Sequence, residues 1–290
     1  MIWLSDEWKD YEVLDTSNGE RLERWGKYIL VRPDPQVIWN TPHDHPAWKK
    51  YDARYIRSNT GGGHWSDHRL PERWQIQYKD YLTFNVKPMN FQHTGVFPEQ
   101  AANWDFIRDT VSEAAQHRPI RVLNLFAYSG GATLAAAAGG AEVYHVDASK
   151  GMVAWAKENA ASSGLSDRPI HWIVDDCAKF IQREIRRGRK YDGIIMDPPS
   201  YGRGPSGEIW KMETSFYPFL QETVKLLSDH PLFVIINSYT TGLSPSTVGY
   251  ASDVVFGSVY GGHTQVGELG LPVKSTGMML PCGSTGRWTP

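Results

Sequence analysis

Four short clusters in this 290-residue chain stand where an apolar run ends, and each carries groups that bind or position a ligand. Val122-Leu123-Asn124-Leu125-Phe126 runs into Ala127-Tyr128-Ser129-Gly130-Gly131, a small turn that lets backbone approach a ligand in front of a helix N-terminus. About 20 residues on, the next apolar run ends at Asp147, where a carboxylate can accept hydrogen bonds from ribose hydroxyls. His171-Trp172-Ile173-Val174 ends in Asp175-Asp176, acceptors for an adenine amino group. Ile194-Ile195-Met196 ends in Asp197-Pro198-Pro199-Ser200. There two prolines stiffen the backbone, remove two donors and leave carbonyls turned outward, an acceptor-rich place for an amine or a planar ring. Each cluster has an ordinary explanation: the glycines a plain turn, Asp147 an N-cap, Asp176 a solvated loop acid. Their common register at successive run ends makes coincidence the poorer account. The glycines lack the Gly-x-Gly-x-x-Gly spacing of a dinucleotide fingerprint, which counts against a nicotinamide oxidoreductase.

The elements that must hold these clusters alternate. Strands are predicted at Val122–Phe126, Glu142–Asp147, His171–Asp175, Tyr191–Asp197 and Leu232–Ile236. Helices are predicted at 131–138, 150–162, 178–186 and 212–227, and an earlier one over 99–117. Apolar strands separated by helices imply a parallel sheet covered on both faces, an α/β, doubly wound, Rossmann-like fold. The front of the chain differs. Seven of its 12 Trp precede residue 75, and short strands are predicted at Tyr28–Val31, Gln36–Trp39 and Tyr81–Val86, with turns at Ser17-Asn18-Gly19 and 60–63. Two domains follow: a small β-rich N-terminal domain, 1–94, and the α/β domain, 95–290. Beyond Thr241 the chain is rich in Gly, Ser and Thr, and 253–259, 265–273 and 278–280 read as short strands.

Composition sets limits. The net charge of −2 excludes a polybasic binder, so any nucleic-acid contact must be a local patch. Two distant Cys make no disulfide framework and point to a reducing, cytoplasmic setting. The most apolar stretch, Val122–Tyr144, holds Asn124, Ser129, Glu142 and four Gly, so it is not a lipid-facing span, and no membrane role is expected.

The segments Asn124–Gly131 and Tyr191–Ser200 resemble motifs I and IV of class I S-adenosylmethionine-dependent methyltransferases, in the subgroup typified by the large-subunit ribosomal RNA 5-methylcytosine methyltransferases. The resemblance covers about residues 95–238, and the front end, with Arg21–Gly26 and Arg32–Gln36, is similar to the small β domain of those proteins. The RNA-binding PUA module usual in that family has no room here. The resemblance implies S-adenosylmethionine as cofactor and RNA, in particular ribosomal RNA, as partner. Asn124, Phe126, Ala127, Tyr128, Ser129 and Gly130 would cradle the methionine part. Asp147, with Ala148 beside it, would hold the ribose, and Asp175 or Asp176 would face the adenine. Asp197, Pro198 and Pro199 would line the floor next to the transferable methyl. Phe97 and Gln100 become lid contacts, although a hydrophobic staple also accounts for Phe97.

Transfer to a ring nitrogen or an exocyclic nitrogen needs alignment and desolvation; transfer to cytosine C5 needs a thiolate. Cys177, beside Asp175-Asp176, reads as structural, which leaves Cys282 as the candidate nucleophile or as an inert thiol. Lys179–Lys190 carries six cations against Glu184 alone, either a solvated helix face or a phosphate-tracking patch. Tyr201 and Trp210 follow motif IV and could stack a base or pack as a lid. Of His43, His45, His64 and His68, the last two are four apart, but Gly61-Gly62-Gly63 and Pro71 argue against a helix there and no Cys joins them, so no metal is expected. A non-catalytic RNA-binding protein with a vestigial pocket is the alternative of a different class. The sequence leaves the oligomeric state open between monomer and homodimer.

Overall fold

The computed structural model describes all residues except 59–61, 67–69, 90, 204–208 and 241, together with the side chain of 203. His68 and part of the turn predicted at 60–63 therefore lie outside the described residues. Two compact units are present: Met1–Trp3 with Asn103–Glu268 and Gly283–Pro290, and Leu4–Ala102 with Leu269–Cys282. The boundary in the chain falls between residues 102 and 103, with a later segment, Leu269–Cys282, returning to the front unit.

Strand β1 (Ile2–Leu4) opens the chain. The front unit is built on a sheet of β2 (Tyr11–Ser17), β3 (Glu20–Trp25), β4 (Tyr28–Pro33), β5 (Ala53–Arg57) and β6 (Gly63–Ser66), in that order, beside a hairpin of β7 (Trp74–Tyr78) and β8 (Leu82–Val86). Three of its tryptophans serve as core. Trp8, Trp25 and Trp65 are buried, and the indole N–H groups of Trp8 and Trp65 donate to the Pro98 and Met89 carbonyls at 2.9 Å. The strand predicted at Gln36–Trp39 is not formed. Pro33 and Pro35 remove ladder donors, the Asp34 carboxylate and carbonyl accept from the Gln36 and Val37 N–H groups, and the resulting turn leads into hydrogen bonds with Asn18 and Gly19.

The large unit alternates helix and strand: α1 (Ala101–Ala115), β9 (Arg121–Leu125), α2 (Gly131–Ala138), β10 (Glu142–Asp147), α3 (Lys150–Ser162), β11 (Ile170–Val174), α4 (Cys177–Arg186) and β12 (Gly193–Met196). A short hairpin, β13 (Tyr201–Arg203) and β14 (Ile209–Lys211), precedes α5 (Met212–Thr223), β15 (Phe233–Ser238), α6 (Pro245–Ser252) and α7 (Ser258–Tyr260), and β16 (His263–Pro272) and β17 (Met279–Thr289) close the chain. The eight-stranded sheet has the order β1-β16-β17-β15-β12-β9-β10-β11. Strands β11, β10, β9, β12 and β15 run parallel, and β17 is antiparallel to β15. Residues 253–259 are helical, not the predicted strand. Ser244 caps α6 with Pro245 in its first turn, and the continuing helical run buries Val255 and Phe256, so packing overrides the β preference of Val254-Val255.

The switch in strand order lies between β9 and β12, where ligands of such sheets bind. Leu125 of β9 pairs with Val146 and with Met196, and Asp147 pairs with Val174. Phe126, Asp147, Asp175 and Asp197 thus emerge together at the carboxyl edge.

Candidate active site at the strand ends

The β9–α2 turn is held in an unusual backbone state. Phe126 and Tyr128 have φ of 54° and 50°, a left-handed conformation that costs energy in a non-glycine residue. Three successive N–H groups of the turn have fixed partners. Phe126 donates to the Cys177 sulfur at 3.3 Å, Ala127 to the Val146 carbonyl at 3.1 Å and Tyr128 to the Asp147 carboxylate at 2.8 Å. Gly130 follows with φ of 93°, and a Cβ there would lie 3.0 Å from the Ala156 methyl. A Cβ on Gly131 would sit 2.6 Å from the Trp104 ring. Both positions therefore require glycine, and no side chain caps the N-terminus of α2. Backbone N–H groups of its first turn remain available for an anion.

Asp147 is half-buried. Its second oxygen accepts from Ser149 N–H at 2.8 Å, and Ser149, not Asp147, caps α3. Burial pushes the Asp147 carboxyl above the ordinary aspartate value, against the two N–H bonds that favour its charge. Ala148 beside it is exposed. Asp176 caps α4 by accepting from Lys179 N–H at 2.9 Å. Asp175 accepts from Asp176 N–H and pairs with Arg183. Asp197, half-buried, ends β12 with its N–H on the Leu125 carbonyl at 3.4 Å. Pro198 is buried and Pro199 exposed, but the Pro199 carbonyl is taken by the Trp210 indole N–H at 2.6 Å.

Asn124 stands behind the turn: it is buried, and its amide donates to Thr133 Oγ1 at 2.9 Å. Ser129 is buried and its carbonyl accepts from Asn159. The Phe126 ring packs on Trp210 and Phe219. Sequence reasoning missed Trp104 beneath Gly131 and the use of the Cys177 sulfur as an acceptor. Burial and the nearby Asp147 and Asp176 raise the Cys177 thiol far above its usual range, so it stays neutral and can serve as a weak acceptor for the turn.

The remaining predicted residues belong to the front unit. Phe97 opens a short 3-10 turn, Pro98–Gln100, with its ring 5.2 Å from that of His93, and Gln100 is buried. Cys282 is half-buried with its S–H directed to the Leu280 carbonyl at 3.3 Å. Burial, with Glu99, Asp34 and Glu23 nearby, pushes its thiol well above the usual value despite Arg21. Among the described residues no group of three metal-ligating side chains assembles, and no helix is long and apolar enough to cross a membrane.

A parallel sheet with a glycine turn before a helix, acids at successive strand ends and Asp-Pro-Pro after the fourth defines a nucleotide-cofactor enzyme of the Rossmann-like methyltransferase class. The family model described as S-adenosylmethionine-dependent methyltransferase matches residues 45–227, and the chain belongs to that family. Its cofactor is S-adenosylmethionine. A methyltransferase structure from Agrobacterium tumefaciens is 37% identical, with a TM-score of 0.92, over 100% of this chain and 93% of that one. A Streptococcus mutans methyltransferase shares the fold at 17% identity and a TM-score of 0.75, over 98% of this chain and 76% of that one. Another neighbour, SMU.776, was solved with S-adenosylhomocysteine, at 18% identity and a TM-score of 0.72, over 98% and 76%. The ribosomal RNA large subunit methyltransferase K/L of Shewanella frigidimarina is 32% identical over 157 residues, 53% of this chain. Its counterpart in Shewanella strain MR-4 is 33% identical over 158 residues. This chain spans about a fifth of the length of those two relatives, 21% in each case.

The residues present fit the cofactor. The uncapped start of α2 offers N–H donors to a carboxylate, Gly130 and Gly131 leave no room for side chains, and Asp147 retains lone pairs for ribose hydroxyls.

Proposed function

We propose that the protein methylates a nitrogen of a nucleobase in RNA, with ribosomal RNA as the substrate and the cytoplasm as the setting. The observation that carries this is Asp197-Pro198-Pro199-Ser200 at the end of β12, beside the β9–α2 turn at the switch in strand order. The names of the Shewanella relatives support the RNA assignment.

When bound, S-adenosylmethionine supplies a methyl group already activated as an electrophile on sulfur. The protein has to hold, orient and exclude water. Asp147 holds the ribose, Asp176 or Asp175 faces the adenine, and the α2 N-terminus holds the carboxylate. The Asp197 carboxylate and the Pro198 carbonyl accept hydrogen bonds from the target amine, keep its lone pair aimed at the methyl and give its proton a place to go. Phe97 and Gln100 are proposed as lid contacts to the cofactor. A carbon target is disfavoured because both thiols are held in the neutral form by their surroundings, and only a thiolate attacks a pyrimidine ring.

Incubation with tritium-labelled cofactor and total RNA, followed by nucleoside mass spectrometry, tests the proposal. Label in an N-methylated nucleoside is the expected result; label in protein or small molecules alone rejects RNA. Asp147→Ala should weaken calorimetric cofactor affinity by at least about tenfold, because it removes a charged acceptor from both ligand and turn.

A further inference from the structure

Strands β12 and β15 pair in parallel with Met196 beside Ile236, and both of those side chains enter the core. Side chains alternate along a strand, so the next residues, Asp197 and Asn237, stand side by side on the opposite face, about 4.8 Å apart across the sheet. A buried hydrogen-bonded row from α1 and β17 meets them there. Asn103, in the first turn of α1, donates to Asn237 Oδ1 at 3.0 Å and to Thr285 Oγ1 at 3.3 Å, and its own Oδ1 accepts from Arg287 Nε at 2.8 Å. All four side chains are buried. Arg287 sets the order of donors, because a guanidinium donates and never accepts. Burial lowers Arg287 to about 10, so it stays charged at neutral pH, with its guanidinium 4.5 and 4.8 Å from the rings of Trp3 and Phe106. Asn103 therefore turns its oxygen to Arg287 and its nitrogen to Asn237, and Asn237 receives that bond on its oxygen. Asn237 and Thr285 are partners across β15 and β17, and Asn103 bonds to both, so Asn237 Oδ1 points to the β17 side. Its Nδ2 points to the β12 side, where Asp197 stands, and among the described residues it has no acceptor. Thr240 donates to Ser200 at 2.8 Å, which ties the segment after β15 to the one after β12 and fixes the spacing of the two strand ends.

We propose that Asn237 is a specificity residue of the methyl-transfer site, donating its amide N–H to an unprotonated ring nitrogen next to an exocyclic amine held by Asp197. The inference rests on the RNA reading above and names the class of target: an amine beside a ring nitrogen, as at N6 of adenine, N4 of cytosine or N2 of guanine. A carboxylate acceptor and an amide donor side by side match such an edge with one hydrogen bond in each direction. Two bonds fix the plane of the base, so the amine keeps one orientation to the methyl. Uracil carries no amine. A target ring nitrogen would meet the Asn237 N–H with the lone pair it needs for the methyl. Arg287 and Asn103 are positioning residues, which keep the N–H of Asn237, not its oxygen, on the Asp197 side.

Tritium transfer into large-subunit ribosomal RNA of the source organism, transcribed in vitro and so unmethylated, followed by nucleoside mass spectrometry, tests this. The wild type should place its methyl on an exocyclic amine, and the nucleoside recovered distinguishes adenine, cytosine and guanine. A methyl on a ring nitrogen overturns the role of Asn237 and leaves the RNA reading standing; no label in RNA, or label on carbon or ribose, overturns both. Asn237→Asp keeps an oxygen for Asn103 but shows an acceptor to the base, so kcat/KM for RNA should fall at least about tenfold. Asn103→Asp should give the same loss by another route. Its carboxylate pairs with Arg287 and cannot donate, so Asn237 turns over and shows its oxygen to the base. That variant gains an ion pair, so its melting temperature should not fall, and lost activity at full stability is a result that a merely structural network would not give. Calorimetric affinity for S-adenosylmethionine should stay at the wild-type value in both variants. Wild-type kcat/KM in either folded variant overturns the role of Asn237, and loss of cofactor affinity overturns it too, by assigning the amide to the cofactor.

Discussion

Behind the β9–β10 edge of the large unit, Asn124, Thr133 and His145 form a buried chain in which no member carries a charge. In the front unit, buried polar groups are tied by full charges. Asn124 donates to Thr133 Oγ1, which shares a hydrogen bond with His145 Nδ1, with both contacts at 2.9 Å. Burial alone lowers His145 to about 3, so the imidazole is neutral. In the front unit Glu23 is fully buried between Arg32, at 2.5 and 2.7 Å, and the Tyr11 hydroxyl at 2.6 Å, with Arg21 beside it. The difference teaches what each unit needs. Charged pairs tie together the buried polar groups of the front unit's core. A sulfonium cofactor near Gly130 would be repelled by a buried cation, and the His145 ring comes within 3.7 Å of where a Gly130 Cβ would stand. A neutral chain supports the turn without placing a charge behind it.

Breaking the charged cluster should have the largest effect. Glu23→Ala leaves Arg32 buried without its acid, and the expected loss is about 3–5 kcal/mol in urea unfolding. The acid dependence follows from Glu23 being lowered to about 2 by Arg21 and Arg32 against burial. A depressed carboxylate stabilises the fold above its unfolded value near 4.5, and that stability is lost as pH falls towards about 2. The neutral chain should break at lower cost. Thr133→Val removes one hydroxyl and unpairs the Asn124 amide and His145 Nδ1, for an expected loss of about 2 kcal/mol. If Thr133→Val proves as costly as Glu23→Ala in the same assay, the contrast between the units is wrong.

A further test of the neutral chain uses pH. His145 titrates near 6.5 when unfolded and near 3 when folded, so the unfolded chain takes up the extra proton between those values. Stability is unaffected above about pH 6.5 and falls by about 1.4 kcal/mol per pH unit below it. His93, lowered to about 4 by burial and by Arg32 and Arg21, adds a similar slope from the front unit. His145→Asn should flatten the wild-type curve of unfolding free energy against pH by one proton between pH 6 and pH 4; an unchanged slope would show that His145 is not buried as a neutral ring.

Much of the large unit was legible because its signals are local. The helices at Gly131–Ala138 and Lys150–Ser162 and the strand at Glu142–Asp147 have the bounds that periodicity and glycine placement predict. The acids were legible because a strand's last residue marks the carboxyl edge whatever surrounds it. Cys177 as an acceptor for Phe126 N–H was not, since the two are 51 residues apart and only the β9–β11 layout brings them together. The same holds for Trp104 under Gly131 and for Trp210 against Phe126, which depend on tertiary contact. The runs 36–39 and 253–259 misled for a related reason: β-branched and aromatic residues fit a strand locally, but prolines and a Ser244 cap decided the backbone first.

The smallest expected effect bears on the charged cluster itself. Cys282 stands beside Glu99, Asp34 and Glu23, and its thiol is raised by burial and by those acids. A thiolate formed there would add a negative charge to a cluster already holding three, with Arg21 as the opposing charge. Cys282→Ser should therefore leave the rate of the proposed methyl transfer unchanged, and native alkylation at pH 8 should be far slower than in urea. Loss of all activity in Cys282→Ser, together with a 5-methylpyrimidine among the RNA products, would show that the cluster rearranges on binding substrate to release a nucleophile. The charged core of the front unit would then be a working part of the chemistry, and the contrast with the neutral chain behind Gly130 would be one of timing, not of role.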